Sequence, residues 1–338
     1  MLEFIPKPVK FFSIISLSVG TLILLLGIVF IMWTKDLTFK SIFFDDQKEA
    51  IESFPIGVNP VQKTITENPL VDQYVQSQLS INLEKPRQHR TTVRLLAEIS
   101  KWNWYQQLAS PMTRTLVIYP GERREEITEN FGKILRWTRD EKKAFSDSII
   151  QTIPVLNDGK FFPGRYTVNV GATPEEVSTI LQQRFTNEII ARYNTEISSK
   201  VPLKNALVIA SLLEREAYDF NDMRYISGVI WNRLFINMPL QLDATLQYVR
   251  GNNMNEPLWW PRVVPADKYI TSPFNTYKNK GLPPSPISNP SVEAVVAALN
   301  PRNTDCMFYF HDSRGGFHCS VTYEEHVASL KKIYGRGK

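Results

Sequence analysis

Cysteine is scarce in this sequence, with two residues in a chain of 338. So few cysteines exclude the disulfide framework on which small secreted proteins depend. Cys306 and Cys319 fall on the two arms of a predicted hairpin, and a turn at 312–316 would place Cys319 opposite Tyr309 rather than Cys306. Pairing the two would need a shifted register, so we expect two unpaired core thiols.

The sequence also lacks the features that mark a nucleic-acid surface or a metal centre. Net charge is +5 and the isoelectric point is about 9.0, but lysine and arginine are spread along the chain, which predicts no nucleic-acid partner. Three of the four histidines, His311, His318 and His326, lie near the cysteines at spacings that match no metal-ligand pattern. No metal and no cofactor is predicted, and no internal repeat is present.

One stretch, residues 11–34, lacks charge altogether and is mostly Leu, Ile, Val and Phe. Its roughly 24 residues are enough for a helix to cross a bilayer core of about 30 Å. No Ala-x-Ala site follows, so we expect a retained anchor rather than a cleaved signal. Lys7 and Lys10 precede it and Lys35 follows, which favours residues 1–10 as a cytoplasmic tail and the remainder outside the membrane.

Pattern and composition divide the rest of the chain into three parts of α+β class. Hydrophobic residues make up 43% and charged residues 22%, as in folded globular proteins. Residues 35–112 are expected to be a membrane-proximal spacer with a helical region at 91–108. Residues 113–187 combine strand-like segments with helices opened by capping boxes, which predicts a small α+β module. Residues 200–338, where the composition changes, form the third part.

This third part is predicted to contain a helix at Leu203–Glu216 and a second at Met223–Leu234. A proline-rich span with five aromatic residues follows at 256–290, and a loop of that length in a compact domain is usually functional. A helix at 291–299, the hairpin and a last helix that begins at the capping box of Thr322 complete the domain.

Two glutamates lie within the otherwise apolar first helix of this domain. Glu214 and Glu216 are two positions apart, about 200° around the helix axis, so only one of them can face a given cleft. A glutamate in an apolar pocket has a raised pKa and can hold a proton for a leaving group. The alternative is that both lie at helix ends and pair with Arg215, Arg224 or Arg233, a purely structural role.

Several motifs in a fixed order resemble the YceG-like family of endolytic murein transglycosylases (MltG type). They are FFPGRY (161–166), ASLLERE (210–216), VIWNRL (229–234), MPLQLDATLQY (238–248), SPFNTY (272–277), GLPPSPI (281–287), AALNP (297–301) and TYEEH (322–326). The resemblance covers about 113–338, together with the anchor.

The resemblance implies a lyase of the bacterial plasma membrane that cuts peptidoglycan. Such an enzyme cleaves the β-1,4 bond between N-acetylmuramic acid and N-acetylglucosamine without water, leaves 1,6-anhydro ends and terminates growing glycan strands. It assigns catalysis to Glu216, with Glu214, Asn232 and Arg233 in supporting roles, and suggests a LysM-like module at 113–187. Expected partners are glycan strands, the membrane through 11–34 and cell-wall synthesis proteins.

The same resemblance suggests four substrate contacts. Gln241 and Asp243 would hydrogen-bond the sugar; the alternative is that they cap a helix. Asn275 would supply an amide and Tyr277 a stacking ring. The alternative for this pair is a turn with a core tyrosine. Trp259 and Trp260 are candidates for a longer glycan-binding wall.

Two other functions stay open. A hydrolase needs two carboxylates, so Asp243 facing Glu216 would allow a muramidase. A catalytically inactive peptidoglycan-binding protein is also conceivable. The family usually has Ser or Thr where this chain has Ala217, and its hairpin histidine is displaced by one residue, to His318, which moves it to the other face of the strand.

Overall fold

The computed structural model describes residues 52–75, 113–152, 158–251 and 258–335, which form a mixed α+β structure. The predicted cytoplasmic tail at 1–10, the anchor at 11–34 and the predicted helix at 91–108 lie outside these residues. Within the described ranges, no helix has both the length and the apolar character needed to cross a bilayer.

A short hairpin precedes the predicted module, within the range 35–112 that was expected to be a spacer. Strands β1 (Val58–Asn59) and β2 (Thr64–Ile65) pair antiparallel, and the side chains of Phe54 and Val71 around them are buried in the same core as the C-terminal helices. Gly57 donates its N–H to Leu299 O, and a Cβ there would lie 2.5 Å from Thr66 O. These residues therefore belong to the same hydrophobic core as the C-terminal helices.

The next part has its own hydrophobic core, centred on Phe131, Phe145 and Phe161. The Thr173 side chain accepts from Glu176 N in the predicted capping box, which begins the last of its helices. Its elements are β3 (Thr113–Ile118), α1 (Arg124–Leu135), α2 (Arg139–Thr152), β4 (Gly164–Asn169) and α3 (Pro174–Glu188), and β3 pairs with β4.

The C-terminal part is mainly helical and ends in a hairpin and a helix. The helix predicted at Leu203–Glu216 has those bounds, and the second begins three residues earlier than expected because Asp219 caps it. The elements are α4 (Thr195–Lys200), α5 (Leu203–Glu216), α6 (Phe220–Phe235), α7 (Asp243–Gly251), α8 (Val292–Leu299), β5 (Phe308–His311), β6 (Phe317–Ser320) and α9 (Tyr323–Tyr334), with 3₁₀ turns at Ile190–Arg192 and Pro265–Tyr269.

Helix α5 runs through the centre of this core. All eight residues from 206 to 213 are buried, as expected for a helix that is apolar on every side. It packs against α6, α7 and α8, and α8 is itself lined with Ala and Val. The one serine of α5, Ser211, donates its hydroxyl to Val208 O and accepts from Ile287 N. The core therefore fixes where α5 ends, and with it the position of Glu216.

Asn289 joins the module to the C-terminal part. It is fully buried, and its side-chain oxygen accepts from the N–H groups of Gly159 and Phe161. Its side-chain and backbone N–H groups both donate to Glu122 O, and its own carbonyl accepts from Gly121 N. One amide side chain thus ties two loops of the module to the segment that leads into α8.

The two cysteines form a disulfide, so the prediction of unpaired thiols is wrong. The predicted register is confirmed, since Cys319 lies opposite Tyr309. However, the ladder begins at Phe308, and the chain before it bends where Cys306 N donates to Thr304 Oγ1. This turn brings the Cα atoms of Cys306 and Cys319 within 5.7 Å, inside the range that a disulfide spans.

We expect the disulfide to stabilise the fold by about 3 kcal/mol, because it closes a loop of 13 residues in the unfolded chain. The Cys306→Ser/Cys319→Ser double variant should lose that amount in urea unfolding. A reductant should lower the stability of the wild type and leave the double variant unchanged. Equal unfolding free energies for the two proteins would contradict this account.

Candidate active site

Glu216 is the last residue of α5, at the point where the helix leaves the core. The next residue, Ala217, is extended, so the chain turns away and leaves the Glu216 side chain half-buried. Its Oε2 accepts a 2.9 Å hydrogen bond from the hydroxyl of Tyr309 on β5. Its Oε1 lies 3.5 Å from the N–H of Ala244, in the first turn of α7. Two elements distant in sequence therefore hold this carboxyl.

The N-terminus of α7 is itself held in place by Thr276. The Thr276 carbonyl accepts from Gln241 N, and its hydroxyl accepts from Leu242 N and contacts the hydroxyl of Thr245 at 3.0 Å. Gln241 adopts a left-handed backbone (φ 52°), which turns the chain into the helix. The loop before α7 thus directs the Ala244 N–H toward Glu216.

The surroundings of Glu216 favour the protonated acid. Burial raises its pKa to about 7, and the nearby charge of Asp243 acts in the same direction. The hydrogen bonds from Tyr309 and Ala244 and the charge of Arg215 oppose that shift. The result is a carboxyl that exchanges its proton near neutral pH, as a general acid requires.

Glu214 points to the other side of the helix, as predicted. Its Oε1 accepts from the Ser291 N–H at 2.7 Å and from the Ser291 hydroxyl at 2.5 Å, and Ser291 caps α8. Burial raises the pKa of Glu214 as well, although these two hydrogen bonds oppose the shift. Glu214 therefore joins α5 to α8 and lies on the opposite side of α5 from Tyr309.

Three of the four predicted substrate contacts gather around the start of α7. Gln241 and Asp243 are exposed there, and the half-buried Tyr277 donates its hydroxyl to Asp243 Oδ1 at 2.6 Å. Asn275 differs from the prediction because it is fully buried. Its amide nitrogen donates to the carbonyls of Lys268 and Ile270, and its oxygen accepts from Tyr277 N, so it holds the loop in shape instead of offering its amide to a sugar.

The two predicted supporting residues on α6 fasten the hairpin to the core. Asn232 Nδ2 donates to Thr304 O at 2.6 Å and Cys306 O at 3.2 Å. Arg233 Nε donates to Met307 O at 2.6 Å, and Arg233 also bonds to Leu240 O just before Gln241. Because the same arginine reaches both flanking segments, it sets the spacing between the Tyr309 side and the α7 side of Glu216.

The tryptophans lie on the side of Arg215. The Arg215 guanidinium stacks 3.9 Å from the ring of Trp260, and the buried Arg123 of the module donates to Trp259 O. Both rings are half-buried, so they pack at the junction with the module as well as bordering the surface.

Successive residues of the β5–β6 hairpin face opposite ways. Phe317 lies on the Glu216 side and stacks on Tyr309 with ring centroids 5.8 Å apart, whereas His318 lies on the other face, where it stacks on Phe310 and bonds Asp312. The displaced histidine is thus turned away from Glu216, as the one-residue shift implies. Among the described residues no group of three or more His, Cys, Asp or Glu side chains could hold a metal.

Tyr309 and Thr276 were not predicted, although they place the two oxygens of Glu216. Thr276 lies between two residues that were singled out in SPFNTY. Tyr309 belongs to the alternating FYFH strand, so the sequence could indicate that it faces the same way as His311. No local signal could pair it with a residue 93 positions away.

This arrangement can donate one proton and then hold the resulting anion. With Oε2 engaged by the Tyr309 hydroxyl, Oε1 is the oxygen free to carry the proton. After transfer, the carboxylate keeps the Tyr309 hydrogen bond and faces the N-terminus of α7, whose partial positive charge stabilises an anion. The site is suited to acid chemistry by one carboxyl, with Asp243 beside it.

Comparisons with known proteins agree on one family. The YceG-like family matches residues 57–332. Among curated relatives, an endolytic murein transglycosylase of Bacillus subtilis (strain 168) is 35% identical over 199 residues, 56% of this chain and 53% of that protein. One of Streptococcus pneumoniae (serotype 2, strain D39 / NCTC 7466) is 27% identical over 271 residues, 72% of this chain and 48% of that protein.

A solved structure is also similar. The 2.6 Å crystal structure of a yceG-like protein from Listeria monocytogenes superposes with a TM-score of 0.56 at 26% identity, covering 69% of this chain and 81% of that one. The chain spans about half the length of the curated relatives it matches.

The raised pKa of Glu216 predicts a pH-dependent stability difference. Because the folded state binds this proton more tightly than the unfolded chain, ionising Glu216 costs stability as pH rises from 4.5 to about 7. Glu216→Gln removes that cost, so its stability relative to the wild type should increase across this window in urea unfolding. A difference that does not change with pH would contradict the burial of this carboxyl.

Proposed function

Because the chain belongs to the YceG-like family, we propose that it is an endolytic murein transglycosylase. It would cut peptidoglycan strands internally between N-acetylmuramic acid and N-acetylglucosamine, leaving 1,6-anhydro ends, and so end growing strands. The observation that carries the proposal is the carboxyl of Glu216, raised in pKa to about 7 and held by Tyr309 and the start of α7.

A single carboxyl can complete this reaction. Protonated Glu216 gives its Oε1 proton to the glycosidic oxygen as the bond to C1 of the muramic acid breaks. The C6 hydroxyl of the same sugar attacks C1, and the Glu216 carboxylate takes the proton from that hydroxyl. Every proton is accounted for, the acid is regenerated, and no water enters. The attack is intramolecular, so it benefits from proximity.

Gln241, Asp243 and Tyr277 would contact the sugar on the α7 side of Glu216. The Tyr277 hydroxyl fixes one oxygen of Asp243 and leaves the other for a sugar hydroxyl. We further propose that residues 11–34 anchor the enzyme in the bacterial plasma membrane, that 113–187 is a LysM-like module, and that 200–338 is catalytic. Cell-wall synthesis proteins are then natural partners.

The position of Asp243 near Glu216 supports a second candidate function, that of a muramidase, which hydrolyses the same bond with water. Its charge acts on Glu216, so the two carboxylates are close enough to interact. However, Asp243 is exposed and already accepts from Tyr277, whereas a catalytic base must position a water against C1. We therefore rank this reaction second.

Product masses should identify the reaction, and Glu216→Gln should abolish it. Loss of the general acid should lower the rate of cleavage of purified glycan strands at least about 100-fold. Mass spectrometry of the wild-type products should show anhydro ends, one water lighter than reducing ends.

Two controls accompany that experiment. Glu324→Gln, an exposed change on α9, should cleave like the wild type, and unfolding curves should show that Glu216→Gln is folded. Reducing ends that disappear in Asp243→Asn would identify a muramidase instead. A folded, fully active Glu216→Gln protein would overturn the assignment of the acid.

Tyr309→Phe should move the pH profile of the enzyme. The lost hydrogen bond stabilised the Glu216 carboxylate, so its pKa should rise and the alkaline limb of kcat/KM should shift upward by about one pH unit. Tyr323→Phe removes a hydroxyl on the opposite face of the hairpin and should leave the limb in place. An unshifted limb in Tyr309→Phe would show that this hydroxyl does not act on Glu216.

A further inference from the structure

Tyr218 is a large aromatic side chain exposed beside the catalytic acid. It lies two residues after Glu216, in the loop between α5 and α6, and 71% of it is accessible. Single exposed aromatics are common on protein surfaces and carry no meaning alone. What distinguishes this one is that the structure holds it in place from two sides.

The backbone and the ring of Tyr218 are both held by the hydrogen-bonded pair of Asp222 and His311. Asp222 Oδ2 accepts from the Tyr218 N–H at 2.9 Å and lies 2.8 Å from His311 Nε2. The His311 ring meets the Tyr218 ring edge to face, with centroids 4.8 Å apart. The tip of the hairpin at Gly315 passes close to the same ring. The ring is therefore ordered before any ligand binds, which lowers the entropy cost of binding.

The carboxylate of Asp222 is buried with only one of its two oxygens hydrogen-bonded among the described residues. It is 7% exposed, and its second oxygen, Oδ1, is buried without a hydrogen-bond partner in the described part of the chain. A buried carboxylate oxygen without a partner costs free energy, and such exceptions concentrate at functional sites. The Asp222–His311 pair that holds Tyr218 is thus present although one carboxylate oxygen lacks a hydrogen bond within the described residues.

Strand β5 places the ring next to the acid. Tyr309 and His311 are alternate residues that face the same way, with ring centroids 6.1 Å apart. Tyr309 bonds Glu216, and His311 contacts Tyr218, so the carboxyl and the exposed ring lie side by side along one strand. Asp243 and Tyr277 border Glu216 through α7, on the other side of the carboxyl from the hairpin.

We propose that the Tyr218 ring is a platform for a sugar residue of the glycan strand, on the hairpin side of the bond that Glu216 cleaves. Aromatic rings have an apolar face that binds the C–H face of a pyranose, and a tyrosine keeps a hydroxyl for water or a sugar hydroxyl. Apart from the edge contact with His311 and the approach of Gly315, the ring faces solvent, so its surface is accessible to a ligand. This inference rests on the proposed function, because it names a subsite of the same active site.

The test measures binding and cleavage separately. Glycan strands freed of peptides are titrated against the full chain carrying Glu216→Gln, with and without Tyr218→Ala, and cleavage is then followed with Glu216 intact. We expect Tyr218→Ala to weaken binding and raise KM about three- to tenfold with little change in kcat, and Tyr218→Phe to bind like the wild type.

Tyr323→Ala is the matched control. Tyr323 is 60% exposed and contacts Phe308 on the face of the hairpin that points away from Glu216. It should bind and cleave like the wild type. His311→Ala removes the edge contact and should weaken binding, by less than the loss of the ring itself.

The outcomes separate this inference from the proposed function. A wild type that cleaves strands while Tyr218→Ala binds them equally well would overturn the platform alone. Loss of binding in Tyr218→Phe as large as in Tyr218→Ala would also overturn it, because the ring would not be the binding element. If the protein binds strands through Tyr218 but never cuts them, the platform is supported and the enzymatic proposal is contradicted. If the protein neither binds nor cuts strands, both proposals are contradicted.

Discussion

The structure depends on a helix that must be buried on every side. Residues 206–213 of α5 have no polar face to give to water, so α6, α7 and α8 enclose them. The packing of the enclosed segment fixes where the helix ends, and Glu216 is its last residue. The Glu216 carboxyl lies at the boundary between the apolar core and the solvent. Its partial burial disfavours the charged form and raises its pKa to about 7.

The β5–β6 hairpin also fixes the position of the Glu216 carboxyl, through Tyr309. It is fastened to α6 by Asn232 and Arg233, closed by the disulfide, and backed by α9 through Phe308 and Phe310. A strand held on one face can present fixed groups on the other, and this strand presents Tyr309 to Glu216 and His311 to Tyr218. Disulfides of this kind persist in oxidising compartments.

The two glutamates of α5 have different roles although they are only two residues apart in sequence. Helical geometry sends Glu214 to the cap of α8 and Glu216 to the hairpin and α7. Both lie in apolar surroundings and both have raised pKa values, yet Glu214 is occupied by two short hydrogen bonds from Ser291. The Asn289 hydrogen bonds hold the module just before Ser291, so the segment that leads into α8 is tied to both parts of the structure.

The sequence by itself determined the local elements and the candidate acid. The apolar run of α5, the capping boxes of Thr173 and Thr322 and the hairpin register depend on neighbouring residues, and the two-residue spacing of the glutamates places them on opposite faces. Tertiary structure alone decided the rest. Tyr309, Thr276 and the Cys306–Cys319 bond depend on how distant or bent segments meet, and Asn275 proved to be buried because its loop folds around it. Contacts of that kind arise from packing between elements, which periodicity and propensity do not encode.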